Sequence, residues 1–298
     1  MALLHRLGLA ALLLTLASTA HAQTLLVAAD HSLTAAEYAA KGMPPIGHPW
    51  HEDELRRAVG VLQKIAADDP LKLPRLGSTA SGAVFARLVA PLLLPHAIAG
   101  LPQDGTATTL PREPTTTAEI QNRIADLSGY AQPLGALALL YAKPLAGDFC
   151  FDAELVESTR VALEVNGRML LLINRARAVH GATSPPPWLR QAHQQVSYGT
   201  VLTIRGALFI YAARRAFRPQ WRAELATVLQ NWVPTLMSLL PQTTHAEMLA
   251  HLHGLMLEDP QGYADWQQLQ HAMTFAEHGP PAYAKVRPPR RGRHKRKK

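Results

Sequence analysis

Apolar residues recur at the spacing of an α-helix along most of the chain, first at residues 51–69. There they fall on one stripe of a helix with 3.6 residues per turn. Acidic residues occupy the first turn, where the helix dipole favours negative charge, and Pro70 ends the pattern. An amphipathic helix is therefore predicted. Its apolar stripe consists of Leu55, Ala58, Val59, Leu62, Ile65 and Ala66.

Seven further segments carry helical signals, so about eight helices are predicted. The second helix should run from about 79 to 94, with a bend at Pro91. The third opens with Thr116 and Glu119, which have the spacing of a capping box. Residues 95–115 are rich in Pro, Gly and Thr and read as a long connection. The remaining helices are predicted to start at about 152, 188, 218, 244 and 259.

Two of these helices carry polar patterns that predict specific contacts. In the helix from 152 to about 179, charged residues line the face opposite the apolar stripe, which predicts an exposed ladder of ion pairs. Its members are Glu157, Arg160, Glu164, Arg168 and Arg175. Thr244 and Glu247 repeat the capping-box spacing and predict a second capped start.

Strand signals are nearly absent, because β-branched residues do not alternate over any useful length. The predicted fold class is therefore all-α, a multi-helix bundle or helical array. The predicted organisation is a signal peptide at 1–22, an N-terminal lead segment at 23–50, an all-α domain at 51–279 and a disordered basic tail at 280–298.

The first 22 residues have the three parts of a secretory signal peptide. Arg6 supplies the positive region, residues 7–17 form an apolar run, and Ala20-His21-Ala22 has the small-residue pattern of a cleavage site. The apolar run is shorter than the roughly 20 residues that a membrane-spanning helix needs. We therefore expect an exported protein, periplasmic or secreted, with cleavage after Ala22 and no transmembrane anchor in the mature chain.

Positive charge is concentrated at the C-terminus. Of the 30 Lys and Arg residues, nine lie in 285–298, where there is no acidic residue. The body at 23–284 holds 20 basic and 22 acidic residues and is close to neutral. Such a tail should stay extended and bind polyanions, such as anionic envelope components or nucleic acid, through counterion release. Its cations are Lys285, Arg287, Arg290, Arg291, Arg293, Lys295, Arg296, Lys297 and Lys298.

The common local signatures of catalysis are missing from the sequence. There is no phosphate-binding loop, no His-Glu-x-x-His motif, no Gly-x-Ser-x-Gly motif and no Cys-x-x-Cys motif. The single cysteine, Cys150, lies between Phe149 and Phe151, which favours a core position over a nucleophile. No cofactor and no catalytic residue is predicted.

Two groups of histidines are weak candidates for a metal site. His48 and His51 precede an acidic helix start and could offer ligands together with a nearby carboxylate. His245, His251 and His253 are close in sequence, but helical geometry places them on different faces. We therefore expect no metal site, with His48 and His51 as the weak candidates.

Arg205 is predicted to lie in the middle of an apolar stripe. A buried guanidinium needs a carboxylate, carbonyl groups or an anionic ligand, because an unpaired buried charge is costly. A structural ion pair is one interpretation. A second is an anion-binding pocket formed by Arg205, Tyr198 and Asn166, and a third is a guanidinium that extends to solvent. Arg214, Arg215, Arg218 and Arg222 form a further basic cluster, either a solvated helix end or an anion-binding patch.

These observations predict a non-enzymatic exported protein. Its helical domain would bind a protein partner or another ligand, and its cationic tail would tether it to polyanionic surfaces. Two alternatives stay open, a cell-envelope enzyme of the hydrolase type and a small-molecule carrier with an anion-binding pocket around Arg205.

Overall fold

The structure is a computed structural model, and nine α-helices account for most of the residues that it describes. The described residues are 26–27, 30–90, 116–143, 149–180, 185–213, 217–259 and 263–277. The helices are α1 (Ala35–Ala40), α2 (Glu52–Asp68), α3 (Gly82–Val89), α4 (Thr117–Ala142), α5 (Asp152–His180), α6 (Pro187–Ala212), α7 (Pro219–Leu239), α8 (His245–Glu258) and α9 (Tyr263–Glu277). Two short stretches, β1 (Leu26–Val27) and β2 (Phe149–Cys150), pair in parallel. The predicted all-α class is confirmed.

Helix α5 lies at the centre of the fold, in contact with α4, α6 and α7. Almost every side chain in its first five turns is buried, on all sides of the helix. At Gly167 the α5 backbone approaches α7 so closely that an added Cβ would lie 3.0 Å from the Trp232 ring. A helix that is covered on every face organises the packing of its neighbours.

Four members of the charged ladder of α5, from Glu157 to Arg168, are partly or fully buried, contrary to the prediction, whereas Arg175 is exposed. The Glu164 carboxylate is buried, and it accepts hydrogen bonds from Arg168 at 2.7 Å and from Arg160 at 3.3 Å. Arg160 also donates to Glu157 at 2.6 Å. Helix α7 packs beside this face, as the contact at Gly167 shows. A charged stripe can be covered in this way because its members pair with one another.

The first turn of α5 holds two buried carboxylates, each bound to an arginine from a distant segment. Asp152 is fully buried and accepts hydrogen bonds from Arg218 Nε at 2.8 Å, Arg218 Nη2 at 2.7 Å and the Arg218 backbone N at 3.1 Å. Glu154 accepts from Arg75 Nε at 3.1 Å and from the Leu76 backbone N at 2.7 Å. The helix dipole also favours acids at this end. The two pairs fix the loop before α3 and the start of α7 to one helix end.

Residues 30–50, within the predicted N-terminal lead segment, pack against the core of the helical domain. Tyr38 of α1 is fully buried, and its hydroxyl donates to the Lys72 carbonyl at 2.6 Å. Trp50 is also fully buried, and its Nε1 donates to the Pro45 carbonyl at 2.8 Å. The described residues form nine helices, one more than predicted, and the additional helix is α1.

Helix α3 is shorter than the predicted range of 79–94. Helix α3 is limited to 82–89, and Ala90 already has a non-helical backbone, as expected for the residue before Pro91. The predicted extension over 91–94 and the connection at 95–115 lie outside the described residues. The capping box of Thr116 and Glu119 is present at the start of α4.

The second predicted capping box is wrong. The Thr244 hydroxyl donates to the Pro241 carbonyl at 2.7 Å and makes no cap hydrogen bond to α8. Glu247 instead reaches Arg205 on α6, with Oε1 at 3.1 Å from Nη1. The sequence spacing of a capping box is thus used here for a contact between two helices.

The pair between Asp152 and Arg218 should contribute strongly to stability. Arg218→Met keeps the aliphatic stem but leaves a fully buried carboxylate without its cation. We expect a loss of about 3 kcal/mol in the free energy of unfolding, measured by urea denaturation.

The matched control is Arg56→Met, which removes an exposed pair with Asp53 on α2. Its expected cost is below about 1 kcal/mol. Equal costs for the two variants would show that the pair with the buried Asp152 carboxylate does not fix the start of α7.

Candidate ligand groove

A groove of about 430 Å³ lies between α4, α5 and α6. Helix α4 lines it with residues spaced three to four apart, and α6 does the same. The central helix α5 contributes two side chains to it. The lining residues are Ile124, Ser128, Ala131, Gln132, Asn166, Met169, Ala192, Gln195, Val196, Tyr198 and Gly199.

Small residues keep the groove open. Ala131 on α4 and Ala192 on α6 take positions where longer apolar side chains would fill the space. Gly199 lies on α6, and a Cβ added to it would meet no atom within 4 Å. The three helices can therefore pack closely elsewhere and still leave an open space beside these small residues.

None of the side chains that line the groove is charged. Hydrogen-bonding groups come from Ser128, Gln132, Asn166, Gln195 and Tyr198, and the other lining residues are apolar or glycine. Tyr198 is 52% exposed, so its ring lies at the mouth of the groove. Ser128 donates only a long contact of 3.5 Å to the sulfur of Met169, a weak acceptor. The groove can therefore contact an apolar surface and also form hydrogen bonds.

Asn166 is held rigidly at the inner side of the groove. Its Nδ2 donates to the Ala162 carbonyl at 2.8 Å and to Thr203 Oγ1 at 3.2 Å, and its Oδ1 lies 3.2 Å from Thr200 Oγ1. Both threonines are on α6, so the buried amide joins α5 to α6. This hydrogen bonding fixes the position of the amide before any ligand binds.

The predicted anion pocket does not form as a unit. Tyr198 and Asn166 meet at the groove, but Arg205 is not among its lining residues. Arg205 pairs with Glu247 across the contact of α6 with α8, and the two side chains are 39% and 57% exposed. Arg205 is thus a partly exposed, paired cation. The buried face of α6 is centred on Thr200, Ile204 and Leu208, so Arg205 lies at the margin of that face and not in its middle as predicted.

The residues around His48 and His51 are used for hydrogen bonding within the chain. His48 Nε2 lies 3.0 Å from Glu54 Oε1, and the backbone N of His51 donates to Glu54 Oε2 at 3.0 Å. The second contact is the main reason that the pKa of the Glu54 carboxyl is lowered. Across the described ranges, no group of three or more His, Cys, Asp or Glu side chains is placed to hold a metal ion.

The histidines of α8 lie on different faces, as the helical geometry predicts. His245 is buried with both ring nitrogens lacking a hydrogen bond, whereas His253 is exposed. His251 is half-buried near Arg205. Burial, together with the positive charge of Arg205, lowers the pKa of its imidazole.

Several predicted features lie outside the described residues. These are the signal peptide, Arg214 and Arg215 of the basic cluster, and every cation of the tail from Lys285 to Lys298. Within the described part of that cluster, Arg218 pairs with Asp152. Arg218 therefore has a structural partner and is not simply part of a solvated helix end.

The groove residues Ser128, Gln132, Met169 and Gln195 were not predicted from the sequence. The available signal was the run of small residues and glutamines on α4 and α6, which lie where an apolar stripe would be expected. Such a pattern indicates a groove only when the neighbouring helix that bounds the groove is also known.

Comparison with known proteins finds no matching family model, no matching curated protein and no matching solved structure. The site must therefore be interpreted from its own geometry.

Among the helices that the structure describes, none is both long enough and apolar enough to cross a membrane.

Two histidines should make stability depend on pH. Burial lowers the pKa of His251 on α8 and of His193 on α6, where Arg177 adds to the effect. The unfolded chain then takes up protons at these residues first, near pH 6.5, while the folded chain does not. The free energy of unfolding should therefore keep its full value above that pH. It should decrease as the pH drops toward the lowered pKa of the folded state.

Urea midpoints measured from pH 7.5 down to about pH 5 test this expectation. The double variant His193→Gln/His251→Gln should flatten the decline, whereas His253→Gln, an exposed neighbour on α8, should not. If the double variant keeps the wild-type slope, other groups cause the pH dependence.

Proposed function

We propose that this protein is an exported, non-enzymatic binding protein. Its helical domain takes a ligand in the groove between α4, α5 and α6, and its basic C-terminal tail tethers the domain to an anionic surface. The observation that carries the proposal is the groove, an open space of about 430 Å³ lined by both hydrogen-bonding and apolar side chains. Ligand sites in proteins have this size and this mixed lining.

The chemistry of the groove favours binding over catalysis. Ser128 is the one serine among the lining residues. Its hydroxyl contacts the Met169 sulfur and not a base that could activate it. The Asn166 amide is engaged in holding α5 to α6. Neither arrangement pairs a nucleophile with a proton acceptor.

The distribution of charge supports a tether that is separate from the ligand site. Nine cations lie in the last fourteen residues, while the body of the chain is close to neutral. Polycations bind lipid head groups, acidic polysaccharides and nucleic acid largely without sequence preference. Export of the protein would bring its tail within reach of the lipid head groups and acidic polysaccharides of the envelope.

The tail should account for the salt-dependent binding of polyanions. The full chain and a variant with all nine tail cations changed to Gln are titrated against anionic vesicles, lipopolysaccharide and DNA. The full chain should bind all three at low salt and lose about 10³-fold or more in affinity for DNA between 50 and 200 mM salt. The neutralised variant should bind none of them measurably.

Vesicles made only of zwitterionic lipid are the control, and neither protein should bind them. Retention of binding by the neutralised variant would place the polyanion site on the folded domain. An intact mass from cells that showed the tail removed would also contradict the tether.

A further inference from the structure

The lining of the groove also indicates which class of ligand it accepts, an inference that rests on the proposed function. Apolar contact comes from Ile124, Met169 and Val196, one side chain from each of the three helices. Hydrogen-bonding groups without charge come from Gln132, Gln195 and Tyr198, on the two outer helices. A molecule with one apolar part and a few neutral polar atoms matches both sets.

Two arginines close in sequence to groove-bearing stretches of the helices are paired with carboxylates, while Arg177 of α5 contacts the imidazole of His193 on α6. On α5, Arg168 follows Asn166 by two residues, but its guanidinium binds Glu164 at 2.7 Å beside α7. On α6, Arg205 is paired with Glu247 of α8. A charged ligand in the groove would lose hydration without gaining an opposite charge, which costs several kcal/mol.

We infer that the groove binds an uncharged amphiphilic small molecule and discriminates against the same molecule carrying a negative charge. The apolar part lies against Met169 and its neighbours, and the polar atoms meet the amides of Gln132 and Gln195 and the hydroxyl of Tyr198. The volume suits a molecule of about two or three fused or linked rings, at the lower end of the range for ligand sites.

Two fluorescent probes with the same aromatic skeleton test the inference. N-phenylnaphthylamine is neutral, and anilinonaphthalene sulfonate adds one sulfonate. Both are titrated into the full chain at about 0.5 M salt, which screens the attraction of the basic tail for the anion. We expect the neutral probe to bind at least about tenfold more tightly than the sulfonate.

Gly199→Leu fills the groove and is expected to fold, because its Cβ enters open space and Leu favours the helix more than Gly. It should weaken the neutral probe by about tenfold or more. Gly206→Leu is the matched control, since Gly206 is on the same helix, also has open space around its Cβ and does not line the groove. It should bind the probe as the wild type does. Ala192→Leu is a second filling variant, with the result expected of Gly199→Leu.

The outcomes separate the ligand class from the site itself. If the sulfonate binds as tightly as the neutral probe and both are lost in Gly199→Leu, the groove is a ligand site but the inferred class is wrong. If both filling variants bind the neutral probe as the wild type does, or if it does not bind at all, the inference fails. If the filling variants bind the neutral probe as the wild type does, the proposed function also loses its ligand site.

Discussion

The fold depends on burying the first five turns of α5, and the first of these turns contains two carboxylates. Asp152 and Glu154 lie among the most deeply buried residues, and each is stabilised by an arginine from another part of the chain, Arg218 and Arg75. The Arg75 guanidinium also lies over the Phe151 ring, 4.7 Å from its centroid. Because an unpaired carboxylate at this depth would be strongly destabilising, α5 can take its central position only together with both partners. The loop before α3 and the start of α7 are thereby fixed.

The groove follows from this central position of α5. Helices α4 and α6 both pack on α5, and the groove lies where small residues on those two helices face Asn166 and Met169. The hydrogen bonds of Asn166 to Thr200 and Thr203 hold α6 at its place along α5. The space is thus bounded by rigid helices, which reduces the conformational entropy lost when a ligand binds.

Helix positions and the fold class could be predicted from the sequence, because the 3.6-residue period and the cap at Thr116 are properties of single helices. Asn166 and Tyr198 both line the groove, but Tyr198 is 52% exposed and does not lie on the buried face that was predicted for it. The errors concern contacts between helices. Glu247 has the spacing of a cap but binds Arg205, and Glu164 has the spacing of an exposed ladder but is buried beside α7. A single helical period does not specify which neighbour covers a face. Export and the tether stay predictions from the composition of the two ends.

The most direct test of the ligand groove is an NMR titration of the methionine methyl groups, with N-phenylnaphthylamine as the ligand. Met169 lines the groove, whereas Met43, Met237, Met248 and Met273 are buried elsewhere in the core. The Met169 resonance, assigned through Met169→Leu, should shift progressively as the probe is added, while the core methionines remain unchanged. A shift at the core methionines with Met169 unaffected would place the probe outside the groove and contradict the proposed ligand site.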